Sequence, residues 1–265
     1  MYDLAALEAA LAGSIYAGKV HFAAVTGSTN NDALTAARNG APHGSVWLAD
    51  EQSAGRGRGG HAWHSAAGEG LYVSVLLRLA IPANRLLLLP LVAGLASAEA
   101  IRAACGLDID LRWPNDLLIG ARKTGGILVE ANSDSRGSAF AVVGTGINVH
   151  QRDFDVGLAT PATSLDLAAG CTVDRQTLLV ALLDSLERES SALLDADTAA
   201  AIPARVEAAS SWVRGRTVEV HGPQACTGVT AGLDEHGFLR VETGAGLVTV
   251  QTGGIRKPER EPAID

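Results

Sequence analysis

The sequence predicts an α+β protein in two parts: a mixed or antiparallel sheet with flanking helices over residues 1–212, then a small β unit of SH3-like type over residues 213–265. Four strand-like runs, Leu111–Trp113, Leu117–Ile119, Gly126–Ala131 and Ala139–Val149, follow one another too closely to leave room for crossover helices. Strands joined this tightly favour antiparallel pairing. A stripe of Leu178, Leu179, Leu182, Leu183 and Leu186 marks a helix with one face turned inward. Beyond Gly215 the texture changes to about five short strands separated by Gly-containing turns, the pattern of a small barrel.

Taken in order, Leu4, Leu7 and Leu11 lie on one side of a short first helix, with Asp3 near its start. Lys19–Val25 reads as a strand. Ser28-Thr29-Asn30 has the form of a helix N-cap, and the helix runs to about Arg38, where Gly40 stops it. Ser45–Asp50 is a second strand. From Gln52 to Gly70 the chain is Gly-rich, polar and basic, a long loop of the kind that usually carries function inside a compact domain. Leu71–Leu79 returns to a strand pattern, and about Pro82–Cys105 is a buried helix, bent or restarted at Pro90. After the four close strands come helices at about Asp174–Leu194 and Pro203–Ser210. Asp234–Gly237 supplies a hairpin turn within the final β unit.

Composition excludes several function classes. A net charge of −8 with 47% hydrophobic residues suits a soluble protein and opposes non-specific adhesion to nucleic acid or anionic membrane. The N-terminus has no basic region, and Asp3 and Glu8 interrupt what would be a secretory apolar segment. The longest apolar stretch, Arg85–Ile101, is broken by Pro90, Gly94 and Glu99 and reads as too short to span a bilayer. Cys105, Cys171 and Cys226 lie more than fifty residues apart, which offers neither a disulfide framework nor a zinc motif and points to the cytoplasm. His61 and His64 have no third ligand nearby.

Three segments carry candidate chemistry. In Gly55-Arg56-Gly57-Arg58-Gly59-Gly60 the glycines let consecutive N–H groups converge on an anion, and the arginines add forked donors. The same composition also fits a flexible surface loop or an RNA-binding segment. Arg112-Trp113-Pro114-Asn115-Asp116 presents an amide and a carboxylate at a turn, and Lys123 with Gly125-Gly126 follows. A turn with an Asx cap and a solvated lysine would look alike. Gly144-Thr145-Gly146-Ile147-Asn148 places glycines in a strand, either for close approach of a ligand or as a bulge, and ends on an amide able to donate and accept.

Together with Ser28-Thr29-Asn30, these segments resemble the biotin–protein ligases in order and spacing. The matching runs are E-Q-S-A-G-R-G-R-G-G from Glu51, R-W-P-N-D from Arg112, K-T-G-G-I-L-V-E from Lys123 and G-T-G-I-N from Gly144. The resemblance extends from about Val25 to Ile255. It implies a class II synthetase-like core and two-step acyl activation: biotin and ATP form biotinyl-5′-AMP, which then acylates a lysine of a biotin carboxyl carrier domain. By the same resemblance Ser28, Thr29, Asn30, Gln52, Gly55, Arg56, Lys123 and Gly126 bind biotin. Arg58, Gly59, Gly60, His61, Trp63, Asn115, Asp116 and Asn148 bind ATP. Lys123, Arg56 and Arg58 are the implied catalytic residues, and Asp116 the implied organiser of Mg²⁺.

Two positions depart from the family pattern: His61 stands where many members have arginine, and Arg112 where lysine is commoner. Only about twenty residues precede the first core strand. No N-terminal DNA-binding domain is therefore expected, and neither a DNA nor a membrane partner; a monomer and a homodimer are both compatible. Lipoate–protein ligases share the implied fold and chemistry, but the G-R-G-R-G-G and R-W-P-N-D runs are of biotin-ligase type.

Overall fold

The structure, a computed structural model, describes residues 2–133 and 139–258. Its elements in order are α1 (Leu4–Ala10), β1 (Val20–Thr26), α2 (Thr29–Arg38), β2 (Val46–Gln52), β3 (Gly70–Leu77), α3 (Ala83–Leu86) and α4 (Leu89–Cys105). Next come β4 (Asp110–Arg112), β5 (Asp116–Ile119), β6 (Arg122–Ser133), β7 (Ala139–Asn148), α5 (Leu165–Ala169), α6 (Arg175–Ser191), α7 (Ala196–Ala200) and α8 (Ile202–Ala208). The chain then runs through β8 (Arg214–His221), β9 (Cys226–Leu233), β10 (Leu239–Thr243), β11 (Gly246–Val250) and β12 (Gly254–Arg256).

Seven strands form one sheet in the order β1-β2-β3-β7-β6-β5-β4. The β1–β2 pair is parallel, with α2 as its crossover, and the other pairs are antiparallel. The close spacing of β4 to β7 therefore had the expected consequence. A five-stranded antiparallel sheet, ordered β11-β10-β9-β8-β12, follows. No ladder joins β11 to β12 among the described residues, so strand pairing does not close the expected barrel. The turn at Asp234 is built as anticipated: its carboxylate accepts from the His236 and Phe238 N–H groups, and Gly237 takes φ 77°.

The large sheet has two unlike faces because alternate residues point to opposite sides. Leu71, Val73, Val75, Leu77, Val143 and Ile147 join the main core, to which α4 and α6 contribute Val92, Ala96, Leu179, Leu182, Leu183 and Leu186. On the other side α2 lays Ala33, Leu34 and Ala37 over Leu76, Phe140 and Val142. Beyond the start of α2 that second face carries few side chains. Register pairs Ser74 with Gly144 and Tyr72 with Gly146. It also pairs Leu128 with Gly144 and Gly126 with Gly146. Glycines at the centre of the sheet thus leave a floor poor in side chains, which is where the cavity opens.

Some expectations need correction. The buried helix is broken after Leu86, two residues short of α4, and Pro90 sits in the first turn of α4, where its missing N–H costs nothing. By length and composition Ala83–Cys105 is apolar enough to cross a membrane, contrary to the sequence reading. More than half of its most apolar stretch is buried inside the protein, packed against α6 and the sheet. Ser28 occupies the N-cap position of α2, yet its side chain makes no capping bond. The short helices α5 and α7 fall where no element was read; Ser164 and Asp195 cap them.

Candidate active site

One cavity of about 650 Å³ opens over the side-chain-poor floor of the large sheet. At one end the start of α2 and the end of β2 bring polar side chains into a buried network. The Thr29 N–H donates to Gln52 Oε1 at 2.9 Å, and the Thr29 hydroxyl lies 3.1 Å from the same oxygen. Gln52 Nε2 donates to Ser65 Oγ at 2.9 Å. Ser74 Oγ, from β3, lies 2.8 Å from Thr29 Oγ1 and 2.6 Å from Asn30 Oδ1. Ser28, Thr29, Asn30 and Ser74 are all nearly inaccessible to solvent. Gly144 is required beneath them, since a Cβ there would stand 2.0 Å from Asn30 Oδ1.

The Gly-rich loop is an ordered hairpin that covers this end. Arg56 bridges to Ala62, the Trp63 N–H donates to the Gly55 carbonyl at 2.9 Å, and the Gly57 N–H donates to the His61 carbonyl at 2.7 Å. Gly59 and Gly60 turn the tip with φ of 68° and 80°, values that favour glycine. Trp63 lies flat enough over the sheet that a Cβ on Gly146 would reach its Nε1 at 2.6 Å. That indole N–H is buried and has no hydrogen-bond partner among the described residues.

At the other end the charges gather. Lys123 Nζ is 2.5 Å from Asp116 Oδ1 and 5.4 Å from the centre of the Trp63 ring. Arg112 donates to Asp116 Oδ2 through Nε at 3.0 Å and Nη2 at 2.6 Å, and its Nη2 also reaches Thr160 Oγ1 at 2.9 Å. Arg58 crosses the cavity to the β11–β12 connection, donating to the Gly253 carbonyl and, at 2.9 Å, to Thr252 Oγ1. Burial lowers the Arg58 pKa from the usual arginine value, and the nearby Asp116 charge partly offsets this.

Most residues expected at a site converge on this cavity: Ser28, Thr29, Asn30, Gln52, Arg56, Arg58, Gly59, His61, Trp63, Asn115, Asp116, Lys123 and Gly126 line it. Gly55, Gly60 and Asn148 do not. Gly55 is needed because a Cβ would stand 2.4 Å from the Trp63 carbonyl, and Gly60 shapes the hairpin tip. Asn148 is buried and donates Nδ2 to the Thr163 carbonyl at 3.1 Å, tying β7 to the segment before α5. Asn115 lines the cavity while donating Nδ2 to the Ile127 carbonyl at 2.8 Å, so its amide also fixes the turn before β5.

Asp116, the carboxylate expected to organise Mg²⁺, is held from both sides by cations. Both its oxygens already meet Arg112 and Lys123, and among the described residues no three His, Cys, Asp or Glu side chains gather to hold a metal ion.

Several residues of the cavity or of the buried network beside it were missed. Ser74 lies in an unbroken apolar strand, where a lone serine on the helix-covered face was the available signal. Thr160 carried none. His221, Thr252 and Arg256 come from the second sheet, and only its packing against the first brings them here.

Residues 22–148 match the Biotin/lipoate A/B protein ligase family. The chain is 35% identical over 239 residues to the bifunctional ligase/repressor BirA of Bacillus spizizenii, covering 87% of this chain and 71% of that one. It is 33% identical over 237 residues to the biotin–[acetyl-CoA-carboxylase] ligase of Mycobacterium tuberculosis, covering 88% and 86% of the two chains. Among solved structures, the biotin protein ligase of Aquifex aeolicus in complex with biotin and ATP superposes with a TM-score of 0.77 at 28% identity, covering 90% and 98%.

Proposed function

This chain belongs to the biotin–protein ligases of the biotin/lipoate ligase family, and we propose that it activates biotin with ATP and transfers it to a lysine of a biotin carboxyl carrier domain. The observation that carries this reading is the division of one cavity into a buried neutral polar end and a cationic end, joined by a side-chain-poor floor. Biotin has the matching form: a ureido ring that donates and accepts, a hydrocarbon body and a terminal carboxylate. Ser28, Thr29 and Gln52 suit the ureido group, because a buried polar ring needs every donor and acceptor met. The carboxylate would then lie towards Lys123 and Arg58.

In the first step a biotin carboxylate oxygen attacks the α-phosphorus of ATP, and the bond to the β-phosphate oxygen breaks to release pyrophosphate. Negative charge concentrates where the two anions meet, and Lys123 is the side chain placed to offset it. Asp116 holds the Lys123 ammonium in place, with Arg112 fixing the carboxylate from behind. The Arg58–Gly60 tip offers backbone N–H groups and the Arg58 side chain to the phosphates. In the second step the acceptor amine attacks the mixed anhydride, forming the amide and releasing AMP. Positioning and exclusion of water, rather than a covalent enzyme intermediate, would supply the rate. The three free thiols suit a reducing cytosol.

The test is biotin-dependent ATP–pyrophosphate exchange by the purified protein, with lipoate as a parallel acid. Exchange should need biotin, ignore lipoate and fall by about two to three orders of magnitude in Lys123→Ala, the scale typical of losing one preorganised electrostatic contact. Tight biotin binding without exchange would instead make this a binding protein.

A further inference from the structure

Trp212 does not line the cavity, yet it meets Arg112, which does. The segment that leads from α8 into β8 runs along β4 and fixes the ring there. The Leu111 N–H donates to the Ala209 carbonyl at 3.0 Å, and the Ser210 hydroxyl donates to the Leu111 carbonyl. The Asp110 carboxylate accepts from the Ser211 N–H at 2.7 Å and from its hydroxyl at 2.6 Å. Ser210 Oγ also accepts from the Trp212 N–H at 3.1 Å. The buried indole therefore comes to rest beside Arg112, whose guanidinium carbon is 5.2 Å from the ring centre. From β8, the guanidinium of Arg216 meets the same ring at 3.9 Å, and its Nη1 donates to Ser211 Oγ at 2.9 Å.

A guanidinium buried as deeply as that of Arg112 needs its charge and its donors met. Asp116 Oδ2 accepts from Nε and Nη2, and Thr160 Oγ1 accepts from Nη2 as well. What remains is a flat cationic face, suited to the electron-rich face of an indole. Lysine, the commoner residue at this position in the family pattern, has neither the fork nor the face. A point charge on a flexible stem satisfies a carboxylate in several places. Lys123 depends on which place is taken, because the oxygen it meets belongs to the carboxylate that Arg112 holds.

We infer that Trp212 is a positioning residue for the activation step: its ring keeps the Arg112 guanidinium in its plane, Arg112 keeps Asp116 in place, and Asp116 keeps Lys123 at the reacting end of the cavity. Arginine at 112 and tryptophan at 212 are then one matched pair, not two independent choices. The charge that Lys123 offsets is greatest in the transition state, so a displaced ammonium costs rate more than binding. This deepens the proposed function and rests on it for the reaction whose rate is measured.

The experiment compares wild type with Trp212→Leu, which fills space without an aromatic face, and with Trp212→Phe, Arg112→Lys and the two doubles that combine them. Circular dichroism first establishes which are folded; if Trp212→Leu is not, the phenylalanine series takes its place. Two quantities are read. One is kcat and KM in biotin-dependent pyrophosphate exchange. The other is the rate at which acetic anhydride labels Lys123, followed by mass spectrometry, with Lys19 and Lys257, the other two lysines of the chain, as internal references. Trp212→Leu should lower kcat about tenfold, the rate equivalent of one desolvated cation–π contact, with both KM values within about twofold of wild type. Lys123 should label several-fold faster while the reference lysines keep their rates. Trp212→Phe, with a weaker aromatic face, should fall between. Trp212→Leu should add little to Arg112→Lys, since the lysine has already lost the stack.

If folded Trp212→Leu keeps either the wild-type kcat or the wild-type labelling of Lys123, the ring only fills the core and the inference falls. If its effect multiplies in full with that of Arg112→Lys, the ring acts by a route that bypasses Arg112, and the assignment is overturned. Should wild type itself exchange no pyrophosphate, the functional reading fails, while the labelling rates still decide whether Trp212 positions Lys123.

Discussion

His43 shows how a single side chain can set the acid stability of this protein. Its Nδ1 accepts from the Arg78 N–H at 3.0 Å just beyond β3, a bond that needs the unprotonated nitrogen. Burial lowers its pKa below the ordinary 6.5, the Lys19 charge lowers it further, and Glu187 pulls the other way. A histidine depressed in the folded state contributes stability that is fully present above its unfolded pKa and is lost as pH falls through the folded one. Thermal midpoints should therefore drop from about pH 7 downwards in wild type, and less steeply in His43→Asn, whose amide oxygen keeps the acceptor. Equal slopes in the two proteins would remove His43 from this role. At the same scale, the site residues legible in the sequence were those in short polar runs, such as Thr29, Arg58 and Lys123. Glu130 was quoted at the end of K-T-G-G-I-L-V-E and still given no role, because its partners, Asn30 and Arg56, come from distant parts of the chain. Asn148 was read as a ligand although its amide serves the Thr163 carbonyl, a distinction that spacing cannot make.

At the level of elements, periodicity served well where one face alone is buried, as in α6, and where turns are chemically marked, as at Asp234. It failed where short helices depend on a local cap, as in α5, and where apolarity has two readings, as in α4. Gly94 lies inside α4 with ordinary helical backbone, and a Cβ there would touch Leu111 and Ile127 at 3.5 to 3.8 Å, a normal packing distance. Nothing local requires the glycine, so its freedom in the unfolded chain is simply a cost to the helix. Gly94→Ala is expected to stabilise the protein by about 0.5–1 kcal/mol, the usual gain for this exchange in a helix. A urea titration should show a higher midpoint at unchanged slope. A lower midpoint would mean that Leu111 cannot yield.

For the molecule as a whole, we propose two topological parts, residues 1–212 and 213–265, that share one core. Val218, Val220, Leu239 and Val241 of the second sheet belong to the same hydrophobic cluster as α4 and α6. Trp113 Nε1 donates to the Gly237 carbonyl at 3.0 Å, and a Cβ on Gly237 would stand 2.5 Å from Leu91. Two bodies with a common interior lose it together. Unfolding should therefore be one transition, with tryptophan fluorescence and far-ultraviolet circular dichroism coincident in urea. Separated midpoints would show that the second sheet is an independent unit. The sequence disclosed the change of texture at Gly215, but not that the β11–β12 connection would reach back to Arg58.

The apolar Ala83–Cys105 segment has a history during synthesis as well as a place in the finished core. Its partner α6 begins at Arg175, seventy residues after Cys105 (175 − 105). At about 5–20 residues per second a ribosome needs on the order of 4–14 s to deliver that partner. Throughout that interval the nascent chain carries, without its α6 cover, a stretch that composition alone could not tell from a membrane span. Translation speed and chaperone supply, quantities with no bearing on the folded enzyme, thereby become determinants of how much of it a cell obtains.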